Sequence, residues 1–184
     1  MGSKMAEMQG CRLRLRLIQP GDAAYVHELR TDPRYNAHLS PVTGSVADQR
    51  LWIERYKERE ARGAEFYYVA ERLDDGAPCG LVRLYDIGPG RLTWGSWILA
   101  GNKPPKAALE SAVLSFRLGF HGLGADLALI DVRKDNARAI AFYRRFGMTE
   151  TGEDEDNFYF EYSRDRFDRD EAGYMALLQK EPAA

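Results

Sequence analysis

A chain of 184 residues, 45% hydrophobic and 29% charged, has the length and balance of one globular domain able to bury a substantial core. Its 26 basic and 28 acidic side chains leave a formal net charge of -2, which argues against a binder of nucleic acid or anionic membrane. No apolar run approaches the ~18 residues needed to cross a bilayer. Cys11 and Cys79 form no CxxC pair, and His27, His38 and His121 lie far apart with no HExxH pattern, so no metal site is expected.

The opening stretch "MGSKMAEMQG" carries no apolar signal core, and residues 1–10 are expected to be disordered or tag-derived. A cytoplasmic location is the default expectation. In "RLRLRLI", Arg12 to Ile18, leucine and arginine alternate with the period of a strand that has one wet face. "QPGDAAYVHELR" starts a helix, with Pro20 near its first turn and Tyr25, Val26 and Leu29 on one side. Two prolines make "TDPRYNAHLSPVTG" a loop, after which Ser45 caps a second helix that runs to Gly63. "EFYYVAERL", "PCGLVRLYDI" and "RLTWGSWIL", joined by turn-forming "DDGA" and "GPG", predict an antiparallel meander. A long helix from about Pro104 to Phe120 precedes the strand "LALIDV", whose uniform apolarity fits a position covered on both sides. A short helix, Asn136 to Phe146, leads to two final strands around "MTETGE" and "DNFYFEYS". The domain is therefore expected over residues 11–163, with a surface helix and tail over 164–184. The fold class is α+β, of the three-layer α/β kind: a mixed, mostly antiparallel twisted sheet of about six or seven strands with helices on both faces. No GxGxxG turn follows the first strand, which excludes a Rossmann dehydrogenase.

The stretch "DVRKDNARAIAFYRRFGM" raises the question of function. Asp135 or Asn136 caps a helix whose Ala139, Phe142, Tyr143 and Phe146 share one face, and Gly147 sits where a left-handed stop is wanted. Tyr143 can point back along the helix toward the strand ends, where open α/β sheets bind ligands. The residues alone leave two readings open, packing or ligand handling.

Asn136-x-x-Ala139-x-x-x-Tyr143-x-x-x-Gly147-Met148 after "LALIDV" resembles the last block of the GCN5-related N-acetyltransferase (GNAT) superfamily, and the element order matches that family from Arg12 to Ser163. The resemblance implies acetyl-CoA as co-substrate, held where the fourth and fifth strands splay. It implies that Asn136 contacts the pantetheine arm, beside Ala139, and that Tyr143 protonates the departing thiolate. It also implies main-chain hydrogen bonds to the cofactor from Trp97, Ile98 and Leu99. Gly95, within that strand, is consistent with a bulge.

The family's glycine-rich pyrophosphate loop is replaced here by "LAGNKPPKAALES". Lys103 and Lys106 stand beside a helix start formed by Pro104, Pro105, Ala107 and Ala108, a setting that attracts a diphosphate even though two amide donors are missing. The run "PPKAALES" is similar to runs in family members that act on amino sugars.

Amine acetylation needs a proton acceptor, and Glu71, Asp86, Glu110 and His38 are the candidates. Glu110 stands out because its helix is otherwise apolar and burial raises a carboxylate's pKa, although a salt bridge to Arg117 or another arginine accounts for it equally. For the acceptor pocket, Asn36, His38, Tyr85 and Trp94, with Tyr35 and Tyr159, offer aromatic and amide groups suited to a sugar ring or nucleobase and equally to a peptide N-terminus. The expected activity is direct acetyl transfer to the primary amine of a small molecule, with a nucleotide-linked amino sugar first. A protein Nα-acetyltransferase of the ribosomal-protein type and a non-catalytic acyl-CoA-binding domain are the alternatives. A homodimer is possible on family grounds.

Overall fold

The computed structural model describes residues 5–180. Its elements in chain order are β1 (Glu7–Gln9), β2 (Leu13–Leu17), α1 (Ala23–Thr31), α2 (Pro33–Asn36), α3 (Val46–Ala61), β3 (Phe66–Arg72), β4 (Pro78–Gly88), β5 (Arg91–Leu99), α4 (Ala107–Arg117), β6 (Leu127–Arg133), α5 (Ala137–Arg145), β7 (Thr149–Glu153), β8 (Asn157–Ser163) and α6 (Arg164–Gln179). The strands form one eight-stranded sheet in the order β1-β2-β3-β4-β5-β6-β8-β7. Every pairing is antiparallel except β5 with β6.

Alternation in β2 does what the sequence predicts. Leu13 and Leu15 are fully buried, while Arg14 and Arg16 turn outward to share the Glu71 carboxylate. Ser45 and Asp48 close a reciprocal cap at the start of α3. Asn136 caps α5 by accepting the Ala139 amide at 3.2 Å, and Gly147, at φ +84°, ends that segment in the left-handed region glycine tolerates.

Helices cover both faces and make two separate cores. On one side, α4, α5 and α6 enclose Trp94, Phe116, Tyr143, Phe146, Phe160, Tyr162 and Phe167. On the other, α1 and α3 enclose Val26, Leu29, Ile53, Tyr56, Tyr67 and Val69. This is the expected three-layer architecture.

Three local expectations differ from what is found. The sheet has one strand more than anticipated, because Glu7–Gln9, inside the segment expected to be disordered, adds to the edge of β2 through backbone pairing that its polar side chains do not announce. Residues 1–4 of that segment lie outside the described residues. The C-terminal helix is docked rather than superficial: Phe167 and Leu178 are buried, and the Tyr174 ring stacks on Phe146 at 4.5 Å. Strand β6 alternates buried and accessible positions and leaves Asp131 exposed, since the core under α1 and α3 takes in residues of β3, β4 and β5 but none of β6.

Candidate active site

The site begins with the way β5 leaves its neighbours. Its parallel pairing with β6 covers only Arg91–Thr93 against Leu127–Leu129, so the backbone from Trp94 to Leu99 has no β6 partner on that side. On the other side the register with β4 shifts between Leu81↔Ile98 and Arg83↔Gly95. Within that bulge Ser96 takes φ +47°. The bulge sits one residue past Gly95 and turns consecutive side chains, Ser96 and Trp97, toward different cavities.

The first cavity, of about 280 Å³, is lined by Trp97, Ile98, Leu99, Lys103, Ala108, Asn136 and Ala139, seven residues expected from the sequence for the cofactor. Arg34, Tyr35, His38 and Arg138 complete it. Asn136 belongs to both the helix cap and the cleft wall, its carbonyl oxygen accepting the bond that caps α5. His38 Nδ1 lies 3.0 Å from Asp135 Oδ1, which ties the loop after α2 to the turn before α5. Tyr35 accepts a hydrogen bond from the Gly101 amide at 2.9 Å. Lys106, at φ +63°, precedes α4 without a side-chain cap, so first-turn amides of α4 are left for a ligand. Lys103 and Arg138 pair with no carboxylate among the described residues. A slot with unpaired β5 backbone along one wall and cations at its helix-terminus end fits a long amide-bearing thioester ending in phosphates.

Tyr143 lines neither cavity directly. Its ring is buried between Trp94 at 5.9 Å, Trp97 at 6.2 Å and Phe160 at 5.6 Å, and its hydroxyl hydrogen-bonds to nothing among the described residues. Burial, then the negative charge of Asp131, pushes its phenol well above the usual tyrosine range. The phenol therefore holds its proton throughout the neutral range. Burial and then Asp131 also raise Tyr85.

The second cavity, of about 550 Å³, lies under the loop before α3 and contains Tyr85 and Ser96 together with Arg30, Arg55, Arg83, Trp52 and Tyr67. The Arg83 guanidinium sits 4.8 Å from the centre of the Tyr85 ring.

Several expected site residues are elsewhere. Trp94 is fully buried, donating its indole N–H to Ser115 Oγ at 2.8 Å, and belongs to the core rather than to an acceptor pocket. Glu110 is also fully buried, but it faces β2. Its Oε1 accepts the amides of Arg12 at 2.8 Å and Leu13 at 3.1 Å, so it does not reach the cleft as a base. The Lys106 ammonium turns away from the cleft to the C-terminal end of α6, donating to the carbonyls of Leu177, at 2.6 Å, and Lys180. Ala107 is buried, with its amide given to Pro104 O at 3.2 Å, and Asn36 lines neither cavity. Of the other carboxylates considered, Glu71 is held by Arg14 and Arg16, and Asp86 is exposed on the turn side of β4. Sequence reasoning missed Arg34, Arg138, Asp131 and the arginines of the second cavity. No metal-holding cluster of His, Cys, Asp or Glu occurs among the described residues, and no helix there is long and apolar enough to cross a membrane.

A splayed parallel pair, a bulged strand and a helix N-terminus meeting at one cleft define an acyl-CoA-dependent transferase. The Acetyltransferase (GNAT) domain model matches residues 12–149. Among solved structures, apo FdhC, a nucleotide-linked sugar GNAT, is 35% identical with a TM-score of 0.85, covering 91% of this chain and 96% of its own. The ribosomal-protein-S5-alanine acetyltransferase of Vibrio fischeri superposes with a TM-score of 0.74 at 14% identity, covering 86% of this chain and 97% of its own. Spermidine N-acetyltransferase from Vibrio cholerae, in complex with CoA and spermine, does so at 0.73 and 20%, covering 85% and 98%. No curated protein sequence is significantly similar to the chain. The chain belongs to the GNAT acetyltransferase family. It is an acetyl-CoA-dependent acyltransferase of that fold.

Proposed function

We propose that the protein transfers acetyl from acetyl-CoA directly to the primary amine of a nucleotide-linked amino sugar. The observation that carries this reading is the 35% identity to FdhC, a nucleotide-linked sugar GNAT, sustained over 91% of the chain. Likeness to the polyamine and ribosomal-protein enzymes, at 20% and 14% identity, extends to the fold alone.

Acetyl-CoA supplies an activated acetyl thioester. The backbone groups of Trp97, Ile98 and Leu99 that face away from β4, the Asn136 side chain and the small Ala139 would hold its amide-bearing arm. The first-turn amides of α4 and the ammonium of Lys103 would hold its phosphates, with Arg138 beside them. Tyr143 keeps a proton on its phenol oxygen, in a desolvated position where no protein group competes for it, and gives that proton to the sulfur as it leaves. Asp131 is exposed, makes no ion pair among the described residues, lines a separate cavity with Thr93 and Tyr159, and its charge helps raise the phenols of both Tyr143 and Tyr85; it is our candidate for the group that takes the proton the amine loses. No cysteine lies in the cleft wall, and Cys79 is buried with its thiol pushed up to about 11, so transfer is direct.

Acetyl-CoA titration followed by thiol release against amines tests the reading. The amine set contains nucleotide-linked amino sugars, polyamines and N-terminal peptides. Tyr143→Phe should bind acetyl-CoA normally, melt within about 1 °C of wild type because the lost hydroxyl has no partner, and turn over roughly 10²–10⁴ times more slowly. Turnover confined to polyamines or peptides would reject the nucleotide-linked acceptor. An undiminished Tyr143→Phe rate would reject the phenol as the acid.

A further inference from the structure

The larger cavity has a charge problem that the protein does not solve internally. Arg30, from α1, gives Nη2 to the Ser40 carbonyl at 2.9 Å, meets no carboxylate among the described residues, and buries its Nε without a partner. Arg83, from β4, shares the Glu65 carboxylate with Arg59, and its own Nε is likewise buried and unpartnered. Arg55, on the exposed face of α3, pairs with no acid among the described residues. The cavity's one lining carboxylate, Asp48, is already committed to the cap at Ser45, accepting its amide at 2.7 Å and its hydroxyl at 2.8 Å. Tyr67, 1% exposed, adds a buried hydroxyl with no partner of normal hydrogen-bond geometry on the same wall.

Buried polar atoms without partners cost free energy, and guanidinium groups gathered around one space repel each other. A ligand bearing several anionic oxygens removes both costs at once, and arginine's planar fork matches phosphate oxygens in pairs. The same cavity reaches Tyr85, against whose ring Arg83 is stacked, and Ser96, next along the chain to Trp97 of the donor cleft. An anion fixed at the arginines therefore places what is attached to it beside the bulge of β5.

We propose that Arg30, Arg55 and Arg83, with the Tyr67 hydroxyl, anchor the diphosphate of the acceptor, so that its amino sugar extends past Tyr85 toward the acetyl group. This rests on the acceptor being nucleotide-linked, and it adds where the phosphates sit and which residues select for them. The cavity is thus a specificity device: an uncharged amino sugar of the same shape leaves the guanidinium and phenol groups unpaired and is refused.

The test is calorimetric titration of UDP, dTDP and GDP, and of the matching nucleosides, into wild type, Arg55→Gln and Arg30→Gln, with acetyl-CoA titrated in parallel. Arg55 is exposed, so its variant keeps the fold; melting curves check Arg30→Gln. At least one nucleoside diphosphate should bind wild type, at least about tenfold more tightly than its nucleoside. That affinity should fall roughly tenfold in Arg55→Gln and further in Arg30→Gln, while acetyl-CoA affinity changes less than about twofold. Equal nucleotide affinity in wild type and both variants would overturn the anchor and leave the acceptor reading intact. A loss of acetyl-CoA affinity instead would assign the arginines to the donor's phosphates and overturn it too. Acetyl-CoA binding with no nucleotide binding at all would remove the acceptor reading and the anchor together.

Discussion

Glu110 separates structure from catalysis in a way that can be measured. Its carboxylate is completely buried and accepts two amides from the start of β2, at 2.8 and 3.1 Å. Those amides have no strand partner at that point, because β2 meets β3 from Leu13 onward through other groups. Glu110→Ala leaves the buried Leu13 amide and the part-buried Arg12 amide unpaired, at about 1–3 kcal/mol for the first and less for the second, so a loss of roughly 3 kcal/mol is expected. For a chain of this size that lowers the melting temperature by about 6–12 °C. Glu110→Gln keeps an acceptor oxygen, and its NH2 occupies the place where Oε2 now has no partner, so the loss should stay near ~1 kcal/mol. Shortening the side chain also opens space beside Gly10, whose absent Cβ would otherwise stand 2.3 Å from Oε1. Thermal unfolding by circular dichroism, with acetyl-CoA-dependent thiol release at 25 °C, reads both quantities. Turnover per folded molecule should remain within about threefold of wild type in Glu110→Gln. A Glu110→Gln protein that melts like wild type but turns over a hundredfold more slowly would refute the reasoning and restore the carboxylate as a base.

Lys103→Ala should weaken acetyl-CoA several-fold, and more so at low salt, whereas Lys106→Ala should leave that affinity unchanged and instead lower the melting temperature by loosening the end of α6. Asp131→Asn should cut kcat by about 10²-fold with little change in acetyl-CoA affinity; a rate within a few-fold of wild type would exclude it as proton acceptor. Alkaline pH should unfold the protein steeply. Burial raises the phenols of Tyr25, Tyr56, Tyr68 and Tyr162 above their ordinary range, so the folded chain holds protons that the unfolded chain releases near pH ~10. Stability is full below that pH and falls as pH climbs past it. A flat unfolding free energy between about pH 9 and 11 would contradict this.

The donor half of the site is legible in the sequence because its signals are local. Asn136, Ala139, Tyr143 and Gly147 combine a cap, an apolar face and a left-handed stop within one short helix, and the splay follows from a meander running into a β-α-β crossover. The acceptor half is not legible, because Arg30, Arg55 and Arg83 come from α1, α3 and β4, and each reads singly as an ordinary solvated charge. Glu110 misleads for a related reason. A carboxylate in an apolar helix looks the same whether it awaits a ligand or receives amides from residues 98 and 97 positions away. Trp94 and Tyr85 lie on adjacent strands of the meander, but pleat parity sends one into the core and the other toward a cavity. Without knowing which face the bulge reverses, the sequence offers no way to sort them.

The bulge at Ser96 and the two cores on opposite faces of the sheet have a consequence for how such a protein can change. The donor cleft takes Lys103, Ala108, Asn136, Arg138 and Ala139 from the side packed by α4 and α5 and only Arg34, Tyr35 and His38 from the segment between α1 and α3. The walls of the larger cavity come mainly from α1, α3 and the later part of that segment. Substitutions at the exposed positions of α1 and α3 that face the larger cavity can reshape it without touching the side chains of α4 and α5 that line the donor cleft. The two cavities thus draw on largely different helices, joined through the kinked strand and the segment between α1 and α3 that both share.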